Sequence, residues 1–326
     1  MSRRARGTDW ATFRTELESL YEPPMRSRNT RNKIRQALAL IEGAGPIATA
    51  AELTPSRIGR IVKNMEASTI ATATAIGNLS YVRAVCAYAV ATGELRSSPW
   101  SYRRDWLRSF RAGREEDPPP PRHFAAAEIA AVLGLLEREA AGGDWKAGRL
   151  EAAVAIVAYA GLRKMEALCL RVADIDLAAG MIRIRKHSRR LLKTRASAQP
   201  VPVPGPLAAV LARWLPRLGA TEWLIPAVRG LVPWTSGDLG RRPLDFLRAA
   251  GERAGVPGLS FQALRHSWAT HAEQLWGLSE PAIARVLRHT STRTSREHYR
   301  HADEADLRAI AARIDYGTAA LPCPGG

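Results

Sequence analysis

The sequence predicts a mainly α-helical protein with a small antiparallel β-sheet, divided into two domains. Three observations predict it. Apolar residues recur at helical spacing through most of the 326 residues. Asp176-Leu177 and Met181-Ile182-Arg183-Ile184-Arg185 read as strands around Ala178-Ala179-Gly180, and Pro200-Val201-Pro202-Val203 reads as a returning edge strand, where proline is tolerated. Between the two helical regions lie four consecutive prolines, residues 118–121, which make a stiff extended connector. The length suits two domains, and a hydrophobic content of 46% gives each of them a core.

In the first domain, Trp10, Phe13, Leu17 and Leu20 share a helical face, and Pro23-Pro24 stop that helix. A second helix over 27–41 places Ile34, Leu38 and Ile41 inside and carries the basic run Arg28, Arg31, Lys33 and Arg35. Thr54-Pro55-Ser56 starts a third, continued by Ile58, Ile61 and Met65. Residues 68–92 form a long alanine-rich fourth, closed by Gly93. The expected organisation is a helical domain over 1–111, a proline-rich linker over 112–122, a second domain over 123–316 and a tail over 317–326.

The second domain opens with a helix carrying Ile129, Val132 and Leu136, then a buried apolar helix over 150–159. Ala160-Gly161-Leu162-Arg163-Lys164-Met165-Glu166 follows. A guanidinium at the end of a buried helix needs an anion, because burying it unpaired is costly. Glu166, three residues on, is one partner; a phosphate is the other. After the strands and the basic segment 186–195 come helices over 207–218, 244–254 and 262–274, with a Pro/Gly-broken aromatic insert at 223–234. Ser279-Glu280-Pro281 starts another helix toward His289, and the last covers 302–314 with Leu307, Ile310 and Ile314.

Charge narrows the function. Lys and Arg number 48 against 31 Asp and Glu, a net +17 with pI near 10.7. The excess is spread evenly, +8 over residues 1–122 and +9 beyond, which fits two domains closing on a polyanion, most simply nucleic acid. Cys86, Cys169 and Cys323 have no zinc spacing; Cys86 and Cys169 sit in apolar helical patterns as buried thiols. No P-loop and no carboxylate cluster suited to magnesium is present, so neither cofactor nor metal is expected. The basic N-terminus lacks an apolar leader segment, and no apolar run is long enough to span a bilayer. The expected location is the cytoplasm, with the nucleoid.

The chemistry concentrates between residues 261 and 299. Arg265 offers a planar fork of donors that matches a phosphate. His289 can donate to a phosphate oxygen. Tyr299 carries a hydroxyl able to attack phosphorus and leave a covalent ester. Gln262-Ala263-Leu264-Arg265-His266, Leu287-Arg288-His289 and Tyr299-Arg300-His301 together resemble the motifs of the tyrosine recombinases, the phage integrase family. The box from Gly161 to Leu168 resembles that family's first arginine motif. Four positions depart from the pattern. Ala160 stands where Thr is usual in the first motif. Gln262 stands where His is usual, Arg288 stands where Gly is usual, and Tyr299 lies one residue farther from His289.

The resemblance implies a two-domain architecture, a helical core-binding domain plus a mixed α/β catalytic domain. It also implies cutting and rejoining of DNA through a 3′-phosphotyrosyl intermediate without metal or ATP. Tyr299 is then the nucleophile, Arg163, Arg265 and His289 hold the phosphate, and Lys193 is the general acid, with Lys186 as the alternative. Both lysines contacting only the DNA backbone is the plainer reading. Gln262 cannot titrate as a base and is expected to slow the site without silencing it, and Glu166 supports Arg163. Arg28, Arg31, Lys33, Arg35 and Lys186 become DNA contacts, with a plain packing role for the helical domain as the alternative. The family also implies self-assembly to a tetramer on DNA, with DNA-bending accessory proteins as possible partners. The rival functions are type IB topoisomerase-like relaxation and a catalytically decayed DNA-binding protein.

Overall fold

The computed structural model describes residues 7–23, 26, 28–102, 122–187, 198–235, 242–288 and 304–317. The proline connector, Lys193, His289, Tyr299 and Cys323 lie outside them. Contacts within the chain separate two units, residues 1–118 and 119–326.

The first unit is helical. Helix α1 (Trp10–Ser19) is capped by Asp9, whose carboxylate accepts from the Thr12 amide at 3.0 Å, and it buries Trp10, Phe13 and Leu17. Leu20, assigned by spacing to the same face, falls at the C-cap and is exposed, because the helix has already ended. Helix α2 (Arg28–Gly43) buries Ile34, Leu38 and Ile41. Thr54 caps α3 (Pro55–Glu66), which has proline in its first turn. Helix α4 (Thr72–Ala91) starts four residues later than the alanine pattern suggested and packs along α2. Its Cys86 is fully buried, and burial pushes the thiol up to about 12. That thiol is packing, not chemistry.

The second unit is organised on one buried helix. Helices α5 (Ala126–Ala141) and α6 (Trp145–Ala160) form an antiparallel pair, and nearly every residue of α6 is enclosed. The short α7 (Lys164–Leu168) follows. Strands β1 (Ile175–Asp176), β2 (Met181–Ile182) and β3 (Val201–Pro202) make a three-stranded antiparallel sheet in the order β1-β2-β3. Ile182 pairs with Ile175 on one side and Val201 on the other. The turn at Ala178-Ala179-Gly180 forms as expected, with Asp176 Oδ1 accepting from the Ala179 amide at 2.9 Å, but Leu177 joins it and residues 183–185 leave the ladder. Pro202 sits on the edge strand, as expected of a residue with no amide proton.

Helices α8 (Gly205–Trp214), α9 (Pro243–Arg253), α10 (Phe261–Gln274) and α11 (Glu280–Leu287) complete the shell, and α6 touches α8, α9 and α10. The last described helix, α12 (Glu304–Ala311), packs on β3 of its own chain, and Arg308 donates to the Ala179 carbonyl at 3.1 Å. Beyond it, Tyr316 is buried against Tyr159, His271 and Trp276. The fold is therefore mainly helical with a small antiparallel sheet, as the sequence predicts. No helix among the described residues is long and apolar enough to cross a membrane.

Candidate active site

The site is built where α6 ends. Gly161 closes that helix in the left-handed region at φ 61°, and a Cβ there would sit 2.9 Å from Leu287 Cδ2 and 3.1 Å from Trp268 Cδ2. Only glycine fits both the backbone angle and the space. The tight turn lets Leu162 bury and starts α7 at once, with Arg163 as its cap and Glu166 in its first turn. Glu166 closes back on that start. Its Oε2 accepts from the Arg163 amide and its Oε1 from Arg163 Nη1, each at 2.9 Å. Of the two partners the sequence offered Arg163, Glu166 is therefore one, and the Arg163 side chain remains 37% exposed.

Arg265 comes from α10, whose start is fixed by Ser260 accepting from the Ala263 amide. Its guanidinium is buried and donates to the Gly161 carbonyl and, at 2.7 Å, to the Leu287 carbonyl. One arginine thus bridges the ends of α6 and α11. Burial, then the charges of Arg163 and Arg288, push its guanidinium down to about 9, against the pull of Glu166. It stays protonated at neutral pH.

Arg288, read from sequence only as a departure from a family motif, is the residue that sequence reasoning missed. It caps α11 in the left-handed region at φ 53° and ψ 47°. Its side chain is fully buried; Nη2 donates to Glu166 Oε2 at 2.5 Å and Nη1 to the Val286 carbonyl at 3.0 Å. Burial works to raise the Glu166 carboxyl, but Arg288 and then Arg163 outweigh it and hold the group below its usual value. The signal available in the sequence was conformational: a position that favours glycine is one with positive φ, and a large residue there needs strong side-chain anchoring.

The other expected site residues are placed less centrally. Gln262 is exposed, one turn before Arg265 on α10, and its amide nitrogen lies 3.0 Å from His266 Nε2. His271 faces the core, where burial, first of all, lowers its basicity, and it lies 3.2 Å from the Tyr316 hydroxyl. Burial pushes that phenol well above its usual range, so Tyr316 is a packing residue. Lys186 is exposed just past β2; the next residue, His187, is anchored 3.0 Å from the Cys169 carbonyl. Lys193, His289 and Tyr299 fall in two stretches whose flanks are fixed on this framework. The first runs between His187 and β3, the second between Arg288 and α12.

In the first unit, Arg31 pairs with Glu22 at 2.9 Å, Arg35 with Glu18 at 2.6 Å, and Lys33 reaches the Asn78 side chain at 3.3 Å. Arg28 opens α2. Among the described residues no group of three or more His, Cys, Asp or Glu side chains is placed to hold a metal ion.

What the second unit assembles is a cluster of cations around one carboxylate. Three guanidiniums, from α7, α10 and the end of α11, share one carboxylate. An oxyanion with geometry suited to planar forks, such as a phosphate, is the natural complement.

Comparison with known proteins bears on the family and the fold. Residues 127–306 match the sequence model of the phage integrase family. Over 181 residues the chain is 32% identical to the tyrosine recombinase XerC of Pseudomonas fluorescens, an overlap of 55% of this chain and 56% of the relative. The chain thus spans just over half the length of that curated relative. Among solved structures, the Tn1549 transposon integrase in complex with a circular intermediate DNA is similar with a TM-score of 0.66 at 15% identity, over 92% of this chain and 98% of that one. A lambda integrase tetramer bound to a Holliday junction gives 0.60 at 16%, over 89% and 77%. At these identities the structural likeness speaks for the fold.

Proposed function

We infer a function from one premise: the chain belongs to the phage integrase family. On that premise the protein is a tyrosine-type site-specific DNA recombinase. It cuts duplex DNA and rejoins it through a 3′-phosphotyrosyl intermediate. The observation that carries this reading is the cluster of Arg163, Arg265 and Arg288 around the single carboxylate of Glu166. Such a cluster is electrostatically incomplete until an anion arrives.

Each residue then has a task. Arg163 and Arg265 hold the non-bridging oxygens of the scissile phosphate and stabilise the charge that grows in the transition state. His289 adds a third donor. Tyr299 attacks phosphorus and loses its phenolic proton; the bond to the 5′-oxygen breaks, and Lys193 protonates that oxygen as general acid. Lys186 is the alternative acid, exposed beside the same sheet. The phosphotyrosyl ester conserves the bond energy, so rejoining needs only a 5′-hydroxyl. Gln262 supports by hydrogen bonding, and Glu166 orients Arg163.

Residues 1–111 act as a core-binding domain that contacts the DNA backbone through α2, with Arg28, Arg31, Lys33 and Arg35. Residues 112–122 link it to the catalytic domain, 123–316. Recombination proceeds in a tetramer on the DNA, with or without bending proteins, at the cytoplasmic nucleoid. Family membership and the basic charge of both halves support these assignments.

The test is covalent trapping. The protein is mixed with nicked suicide duplexes cut from DNA flanking its gene, with EDTA present, and resolved on a denaturing gel. A shifted protein–DNA band that survives EDTA and is absent in Tyr299→Phe is expected. A mapped recombination site that binds tightly yet gives no band would leave a binding-only protein.

A further inference from the structure

A residue other than glycine held at positive φ persists only where its surroundings over-determine it. Arg288 is such a residue, at φ 53°. Its own side chain supplies the restraint. The guanidinium is fully buried and locked between Glu166 Oε2 at 2.5 Å and the Val286 carbonyl at 3.0 Å. One residue earlier, the Leu287 carbonyl holds Arg265. The contacts therefore close a circuit. Arg163 is held by Glu166, Glu166 by Arg288, and Arg288 is bonded to Leu287, which holds Arg265. Both phosphate-binding candidates hang from the same helix end.

Charge gives the circuit its purpose. A buried carboxylate facing Arg163 alone would compete with a phosphate for that guanidinium. Arg288 takes the second oxygen and neutralises it. Glu166 then orients Arg163 while leaving the pair of Arg163 and Arg265 a net cationic surface.

We propose that Arg288 is a positioning residue that ties down and neutralises Glu166, so that Arg163 and Arg265 are presented together to the phosphate. The proposal rests on the phosphate-binding reading of the site and adds to it a residue that touches no substrate. It assigns the arginine a gain in place of the backbone freedom that glycine would give.

The test uses the full chain and two readouts. The first is binding of inorganic orthophosphate, followed by thermal shift, with Arg163→Ala defining the part that belongs to this site. The second is single-turnover cleavage of the suicide duplex. Arg288→Gly, which suits the backbone angle, should weaken the site-specific phosphate binding about tenfold and slow cleavage by roughly 100-fold, the size of effect that misplacement of a reacting group produces. Arg288→Lys, which keeps the charge but not the fork, should fall between. The double variant Glu166→Gln with Arg288→Gly removes the uncompensated carboxylate and should recover most of the phosphate affinity. Wild-type phosphate binding in Arg288→Gly overturns the proposal. So does a loss that the double variant leaves unrecovered and that follows the unfolding midpoint, since that marks a purely structural arginine. A wild-type protein that shows the predicted phosphate pattern but forms no adduct at a mapped site refutes the recombinase reading and leaves the role of Arg288 standing.

Discussion

Arg57 of the first unit and Arg265 of the second are both buried, and the two are treated in opposite ways. Arg57 in α3 of the first unit donates to the backbone carbonyls of Ile41 at 3.1 Å, Gly45 at 2.7 Å, Glu52 at 3.2 Å, and Pro46. Burial lowers its pKa first, with Arg60 a smaller influence. Its donors are consumed by the loop it staples. Arg265 of the second unit also donates to two carbonyls, but it is crowded by two more guanidiniums with one carboxylate among the three. Burial alone is therefore no sign of function. A buried cation crowded by two further guanidiniums is poised for an anion; Arg57, whose donors are spent on carbonyls and which has the Glu52 carboxylate 3.7 Å away, is already finished.

The sharpest way to break this comparison is to replace both arginines. Arg265→Lys keeps a cation but loses the planar fork, and it should cut the rate of adduct formation by roughly 10²–10³-fold. Arg57→Met should instead lower unfolding free energy by about 3 kcal/mol, since it strands buried carbonyls. It should leave the rate per folded molecule unchanged. Urea unfolding alongside suicide-substrate kinetics reads both, and a slower rate in Arg57→Met would dissolve the distinction.

Glu166 sharpens the contrast from the acidic side. Its carboxyl is held below 4.5 in the folded protein, with Arg288 and Arg163 overcoming burial. A depressed folded pKa contributes stability that is fully present above the unfolded value and is lost as pH falls through the folded one. Glu166→Gln at neutral pH should cost roughly 3 kcal/mol, because Arg288 loses its buried counter-charge. The gap between wild type and variant should narrow as pH drops below 4.5. Urea midpoints across the acid range check it; a gap that stays constant with pH would mean that Glu166 acts by shape and not by charge.

The glycines under the two arginines make a matched pair of smaller effects. Gly161 and Gly45 each offer a carbonyl to the buried guanidinium, and each has positive φ, 61° and 123°. A methyl on Gly161 meets Leu287 and Trp268, whereas nothing lies within 4 Å of one on Gly45. Gly161→Ala should cost about 2–3 kcal/mol and slow cleavage, by shifting the acceptor that holds Arg265. Gly45→Ala should cost about 1–2 kcal/mol of backbone strain only. Unfolding and cleavage measured together separate the two.

What the sequence revealed follows the range of each interaction. The Arg163–Glu166 pair was readable because three residues separate its members on one turn. The end of α6 was readable because glycine marks it. The partner of Arg288 lies 122 positions earlier, and no local pattern announces it. The carbonyls that hold Arg57 and Arg265 carry no side-chain signature at all. The strand pattern at 181–185 outruns the ladder because apolar alternation continues past it, where Arg183 and Arg185 turn back to bond Asp174 and Ala173. The basic run on α2 was visible as charge, but its ion pairs with α1 and the following turn were not, since they join separate segments.

Those ion pairs give the smallest prediction and test whether the first unit's cations behave like either buried arginine. Arg35 is 45% exposed and pairs with Glu18 at 2.6 Å, and Arg14 holds the same carboxylate at 3.1 Å. Burial acts to raise the Glu18 carboxyl, and the two arginines overcome it and lower it. An exposed pair of this kind contributes at most about 0.5 kcal/mol, so Arg35→Gln should barely move the unfolding midpoint. Its effect should appear only when DNA competes for the guanidinium. Each cation that neutralises a duplex phosphate adds about one unit to the log–log salt dependence of binding, and removing it takes that unit away. Fluorescence anisotropy with a fixed duplex, from low to moderate salt, measures that slope. A slope reduced in Arg35→Gln places α2 on the DNA and makes Glu18 a temporary partner that phosphate displaces. An unchanged slope means that Arg35, like Arg57, is already satisfied within its own unit, and the DNA-contacting face of the helical domain must then be sought on another helix.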